Sequence, residues 1–93
     1  MSAWWVRTEE AFGAASKWHG PFADVEAAQR AAAQLTKPTE AEDPFAEVVH
    51  GPRGGKGVRI REFYRGIDYL PGESGRYPSR PSARLDIPPD AGP

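Results

Sequence analysis

The chain has 93 residues, no cysteine and a net charge of −1. A chain of this length buries only about 60% of its unfolded surface, so we expect one small domain with a modest core. The lack of cysteine excludes disulfides and thiolate metal sites, and the sequence contains no apolar run long enough to cross a membrane. Its first residues lack the basic and apolar pattern of a signal peptide, so we expect a cytoplasmic protein with no membrane partner.

Residue usage and charge are both uneven along the chain. Ala, Gly, Pro and Arg supply 43 of the 93 residues, and Arg outnumbers Lys nine to three. Because these four residue types have GC-rich codons, the composition indicates a high-GC bacterium or one of its phages. Residues 1–47 carry −4 and residues 48–93 carry +3. This asymmetry is compatible with a surface for an anion or an acidic protein, and equally with an ordinary solvated basic half.

Two strands and a helix are predicted in the first part of the chain. Residues 4–8 are aromatic and β-branched, and residues 15–19 form their expected hairpin partner after a turn at residues 9–14. Asp24 is a good N-cap for a helix over residues 25–35, which is rich in alanine. Since an alanine face is thin, bulky aromatic residues of the strands are expected to fill the space beneath it.

Two further strands follow the helix. Residues 45–50 and 58–64 are predicted to pair as a hairpin around a glycine loop at residues 51–57. The fold class is therefore α+β: a small β-β-α-β-β domain over residues 1–70, with one helix packed on one face of a mainly antiparallel sheet. Residues 71–93 are rich in proline and glycine and have few large apolar groups, so we predict a disordered, flexible tail.

No catalytic or cofactor-binding pattern is found in the sequence. The glycine loop departs from a phosphate-binding loop, since His50 stands where the first glycine belongs and Gly57 follows Lys56 in place of Ser or Thr. The two histidines have no neighbouring cysteine or carboxylate pattern that would suggest a metal site. We therefore expect a protein that is not an enzyme and that has no cofactor and no metal.

Strand alternation predicts a candidate binding surface. Residues Trp4, Val6, Trp18, Val58 and Ile60 are expected to face the helix, and a single helix would leave the other side of the sheet open. With the loop and turn residues added, the predicted partner-binding residues are Trp5, Arg7, Lys17, His19, Arg53, Lys56, Arg59, Arg61, Phe63 and Arg65.

Three interpretations of this basic, aromatic surface stay open. It is typical of a face that binds protein, because Trp and Arg often anchor interfaces. It also suits nucleic acid, with rings stacking on bases and arginines holding phosphates. A third interpretation is that arginine stems simply cover apolar surface, or that the tail or a second copy packs there.

We expect a small inhibitor or accessory protein of a phage or mobile element. Its predicted partner is a protein, part of a host machine such as a CRISPR or other defence complex. Nucleic-acid binding is the alternative, and the exposed edges of the second or fourth strand would permit a homodimer.

Overall fold

A computed structural model describes residues 2–9, 16–40, 43–75 and 84–92. The predicted turn around residues 10–14, and residues 76–83 and 93 of the predicted tail, lie outside this part of the chain. The described elements, in chain order, are β1 (Ser2–Glu9), β2 (Lys17–Phe22), α1 (Val25–Leu35), β3 (Phe45–Pro52), β4 (Lys56–Tyr64), β5 (Ile67–Tyr69) and β6 (Arg84–Asp86).

The strands form one antiparallel sheet in the order β2-β1-β3-β4-β5, and β6 also pairs with β4. The long strands β1 and β3 pair along their whole length, from Ser2 opposite Pro52 to Glu9 opposite Phe45. The short strands β5 and β6 pair with opposite ends of β4. The predicted α+β fold class, with one helix on a mainly antiparallel sheet, is confirmed, and β5 and β6 are added to the predicted strands.

Side-chain hydrogen bonds cap both ends of helix α1. The Asp24 carboxylate accepts the backbone N–H of Ala27 at 2.8 Å, which satisfies one free donor of the first turn. At the other end, the Thr36 hydroxyl donates to the carbonyl of Ala32 at 2.8 Å. The predicted bounds of the helix are therefore confirmed.

The helix packs on one face of the sheet, which we call the helix face. Its alanines Ala28 and Ala32 are fully buried there. The sheet residues buried beneath them are Val6, Ala46, Val48 and Phe63. Large strand side chains compensate for the thin helix as expected, through Trp4 and Phe22 at the edge of this cluster, and also through Phe63, which was not predicted there.

A bulge in β4 changes the predicted facing of its second half. Val48 lies opposite Arg61 and Val49 opposite Arg59, so Ile60 is an extra residue on β4. One inserted residue shifts the alternation of every side chain that follows it. Phe63 is consequently in the core of the helix face, 3% exposed, and its predicted place on the open face is wrong.

Strand β2 also faces the other way from the prediction. Trp18 lies opposite Arg7 and packs into the cluster around Trp5, away from the helix. Lys17 and His19 flank Trp18 in the strand and so point to the helix side. The pairing with β1 is irregular here, because Trp4 lies opposite Phe22 and Val6 lies opposite His19. The sequence offered little to fix this register, since β2 lacks a regular apolar alternation.

Residues 84–92, called the C-terminal segment from here on, pack on the face opposite the helix. Ile87 is 2% exposed and joins Trp5, Val49 and Ala91 in a second apolar cluster. This differs from the flexible tail expected there. A few apolar residues are enough to order this segment, because β6 pairs with β4 and Ile87 packs into the cluster around Trp5.

Candidate functional site

The centre of the predicted open face is covered by the C-terminal segment. Trp5 is only 1% exposed, and its indole N–H donates to the carbonyl of Gly51 at 2.9 Å. The Arg53 guanidinium lies 5.2 Å from the centre of the Trp5 ring and donates to the Ala91 carbonyl at 3.1 Å. Trp5 and Arg53 therefore hold the C-terminal segment on the sheet, so Trp5 is inaccessible to a partner in this structure.

Two of the predicted surface arginines belong to a buried ion network. Glu47 is completely buried and accepts from Arg7 at 2.8 Å and from Arg59 at 3.2 Å. Arg7 also pairs with Glu9. The side chains of Arg7 and Arg59 are only 15% and 5% exposed. Their charges are used inside the protein, and they do not form an open cationic surface.

The remaining predicted site residues do not form one shared accessible surface. Lys17 and His19 point to the helix side of β2, Phe63 is in the core, and Lys56 pairs with Asp86 at 2.7 Å. Arg61 follows the bulge and therefore lies on the helix face, 3.8 Å from Asp68. Arg65 is in the β4–β5 turn, with its guanidinium 5.3 Å from the centre of the Tyr64 ring. The predicted shared surface is therefore not formed.

His19 occupies a partly buried, polar position. Its Nε2 lies 3.0 Å from the hydroxyl of Thr8. Burial, and secondarily the charge of Lys17, lower the pKa of His19 from its usual value. The histidine therefore favours its neutral form, which makes it a poor contributor to an anion-binding surface at neutral pH.

The predicted glycine loop is mostly strand. β3 extends to Pro52 and β4 starts at Lys56, so only residues 53–55 form the turn. Gly51 and Gly57 lie next to each other on these strands, and the Ile87 side chain fills the space between them. A Cβ atom on Gly51 would lie 2.6 Å from the Gly57 Cα, and one on Gly57 would lie 2.7 Å from Ile87 Cδ1. Because these two glycines have no side chains, they leave a cavity on the sheet face, and Ile87 of the C-terminal segment fills it.

An accessible surface remains on the part of the helix face that α1 does not cover. The helix has 11 residues and β4 has nine. They extend about 16 Å and about 30 Å respectively, so one helix cannot cover the full strand length. Side chains at this end form one line across the sheet, because each lies opposite the next. This line, which we call the cross-strand row, consists of Phe22, Trp4, His50, Val58 and Arg84.

The centre of the cross-strand row is a stacked pair. The rings of Trp4 and His50 have centroids 4.1 Å apart and planes inclined by 27°. Both residues are half-buried, and Val58 beside them is 38% exposed. The inner sides of Trp4 and Phe22 touch the core beneath α1, which fixes their orientation. The row therefore presents apolar and aromatic groups on a rigid support, with the exposed Arg84 at one end.

The charged residues around the cross-strand row are largely balanced. Lys56 pairs with Asp86 on one side of it, and Arg61 lies near Asp68 on the other. The surface is thus apolar and near neutral at its centre. Sequence reasoning missed this site, because Trp4 and Val58 were assigned to the core. The short helix was the available signal, since it cannot cover strands of this length on its own side.

The described residues contain no group of three or more His, Cys, Asp or Glu side chains that could hold a metal ion. None of the helices in the described ranges is long and apolar enough to cross a membrane. No protein-family model, curated protein or solved structure matches the chain.

Proposed function

We propose that this chain is a non-enzymatic interaction protein, of the inhibitor or accessory type, whose protein partner binds the cross-strand row. The observation that carries the proposal is the stacked pair of Trp4 and His50 with Val58 beside it. Tryptophan is enriched at the centres of protein interfaces, because it buries a large area with little loss of side-chain freedom.

The rigid support of the row favours binding. Trp4 and Phe22 contact the core cluster that includes Val6 and Ala28, so a partner need not order them. Side chains that are ordered before association avoid an entropic cost of about 0.5–1.5 kcal/mol each. Exposed apolar groups such as Val58 then contribute contact area at once.

The charge distribution favours a protein over a nucleic acid. Binding to a phosphate backbone depends on several free cations, and the affinity comes mainly from counterion release. Arg7 and Arg59, on which the nucleic-acid alternative depended, are paired with the buried Glu47. The GC-rich composition indicates a high-GC bacterium or one of its phages. If a phage or mobile element encodes the chain, its partner would belong to a host machine, such as a defence complex.

Substitution within the row tests the proposal. Val58→Glu places a charge in the row at a position that is already 38% exposed, so the fold should tolerate it. Ile67→Glu is the matched control, because Ile67 is a strand residue, 55% exposed, that pairs with the other end of β4. We expect wild type and Ile67→Glu to retain the same protein from a high-GC bacterial lysate, and Val58→Glu to lose it.

The captured protein is then purified and titrated against the three chains. A charge placed within an interface core should weaken binding by at least about tenfold for Val58→Glu alone. Equal affinity of all three chains would refute the proposed site. Salt-sensitive binding of oligonucleotides by wild type and Val58→Glu alike, with no protein retained, would support the nucleic-acid alternative instead.

A further inference from the structure

A second accessible feature lies around the outer edge of β2, where Trp18 is on the side of the sheet away from the helix and Phe22 is on the helix side. Two hollows of about 440 and 230 Å³ both have Trp18 in their lining. The first is lined by Trp18, Pro21 and Phe22, and the second by Trp18, Pro88 and Asp90. Gly92 lines both hollows. We call this feature the Trp18 groove.

Trp18 differs from Trp5 in the state of its indole N–H. The Trp5 N–H is buried and donates to Gly51. Trp18 is half-buried, packs one side against the Trp5 cluster, and makes no hydrogen bond to another described residue. The Trp18 groove therefore combines a fixed aromatic ring with a donor that a ligand can use.

The edge of β2 is unsuited to the addition of another strand. In the described part of the chain β2 pairs only with β1. A proline has no backbone N–H, so Pro21 interrupts the row of donors that a further strand would need. A ligand at this edge must therefore be recognised through rings and isolated donors and not through a continuous ladder.

A polyproline II segment has the matching chemistry. Its backbone makes no internal hydrogen bonds, so its carbonyls are free to accept, and its flat proline rings pack against aromatic side chains. Asp90, at the end of the groove lined by Pro88, is exposed and makes no ion pair with the described residues. A basic side chain of the ligand would complement it.

We propose that the Trp18 groove binds an extended, proline-rich peptide segment that carries one arginine or lysine. The Trp18 indole donates to a ligand carbonyl, proline rings lie in the two hollows, and the basic residue pairs with Asp90. The groove shares Phe22 with the cross-strand row, whereas Trp18 and the C-terminal segment lie on the opposite face of the sheet.

Fluorescence anisotropy with short labelled peptides tests the proposal on the full chain. The first peptide is proline-rich with one arginine, the second has its prolines replaced by alanine, and the third has its arginine replaced by glutamate. We expect the first to bind most tightly. Trp18→Ala should weaken it by at least about tenfold, as the loss of an aromatic anchor does.

Two milder variants keep the test independent of folding. Trp18→Phe retains a ring but removes the N–H, and should weaken binding by about three- to tenfold. Asp90→Asn changes an exposed residue, and should weaken the arginine peptide by about two- to fivefold while leaving a neutral proline-rich peptide unaffected. Val58→Glu should bind every peptide as wild type does, since Val58 is on β4 and two strands separate it from Phe22 of the groove.

Three results would overturn the proposal: no binding of the proline-rich peptide, equal binding of the alanine peptide, or wild-type affinity in both Trp18→Phe and Asp90→Asn. Loss of peptide binding in Val58→Glu would also contradict it, because the ligand would then occupy the other site.

Discussion

Ile87 lies where Gly57 has no side chain. The Ile87 side chain, from the C-terminal segment, packs on the face of the paired strands β3 and β4 where Gly51 and Gly57 have no Cβ atom. Ile87 is itself buried, at 2% exposure, and it covers part of the Trp5 side chain. Stability and the exposure of Trp5 should therefore depend on the same contact.

Replacement of Ile87 by alanine should destabilise the protein by about 2–4 kcal/mol, because it leaves a buried cavity over the paired strands β3 and β4, which cannot move together to fill it. Chemical denaturation followed by far-UV circular dichroism gives the free energy of unfolding. Leu70→Ala is the control, since Leu70 is 51% exposed and its truncation should cost little. A loss for Ile87→Ala below about 1 kcal/mol would show that the C-terminal segment contributes little to the fold.

Addition of a methyl group at Gly57 should disturb the same contact from the opposite side. The new Cβ would press on Val49 Cγ1 and would lie 2.7 Å from Ile87 Cδ1, so Gly57→Ala should cost about 1–3 kcal/mol through overpacking. The double variant Gly57→Ala/Ile87→Ala should be less destabilised than the sum of the single variants, since each relieves part of the other's defect. Strict additivity in a double-mutant cycle would mean that the two residues do not interact.

Removal of the charge of Glu47 should be among the most damaging single changes. Glu47→Gln leaves Arg7 and Arg59 buried without their shared carboxylate, which should cost about 3–5 kcal/mol. Asp86→Asn is the matched control, because its pair with Lys56 is exposed, and it should cost less than about 1 kcal/mol. Similar losses of unfolding free energy for the two variants would refute the distinction between the buried and the exposed pair.

His19 should make stability depend on pH in a defined direction. Its folded pKa is lowered by burial and by Lys17, so near pH 6.5 and below the unfolded chain binds more protons at this position than the folded chain. The free energy of unfolding should then fall as pH decreases through the usual histidine range, and stop changing below the folded pKa. Denaturation between about pH 7.5 and 5.5 should show a shallower fall for His19→Gln than for wild type.

Lys17→Gln separates the two causes of this shift. Removing the positive charge should raise the His19 pKa toward its usual value, but burial should still hold it below that value. A proton NMR titration of the His19 ring measures the pKa directly. An unchanged pKa in Lys17→Gln would leave burial as the whole cause.

The N-cap of α1 should contribute measurably. Asp24→Ala removes the acceptor for the Ala27 N–H and should lower the free energy of unfolding by about 1 kcal/mol. Asp24→Asn retains an acceptor, and should retain most of the stability. Equal stability of all three chains would show that water replaces the cap without loss.

Local rules predicted much of the fold and little of the candidate site. Asp24 caps the helix as predicted, and the alternation of Trp4 and Trp5 across β1 is as expected. The bulge at Ile60 has no local signal, and it moves Phe63 into the core. The covering of Trp5 by the tail was one of the alternatives left open, but the residues that form it could not be identified, because Ile87 packs over glycines distant in the sequence.

The Trp5 cluster joins the first strand to the C-terminal segment, so its contacts close almost the longest loop that the chain can form. Closure of a loop costs more entropy as the loop lengthens, whereas the β3–β4 hairpin closes a very short one. During synthesis from the N-terminus, the residues that pack against α1 and those of the β3–β4 hairpin are made before the C-terminal segment. Trp5 can be covered only after Ile87 and Ala91 have been added. A ribosome-bound nascent chain that stops before Ile87 should therefore still expose Trp5 to chaperones.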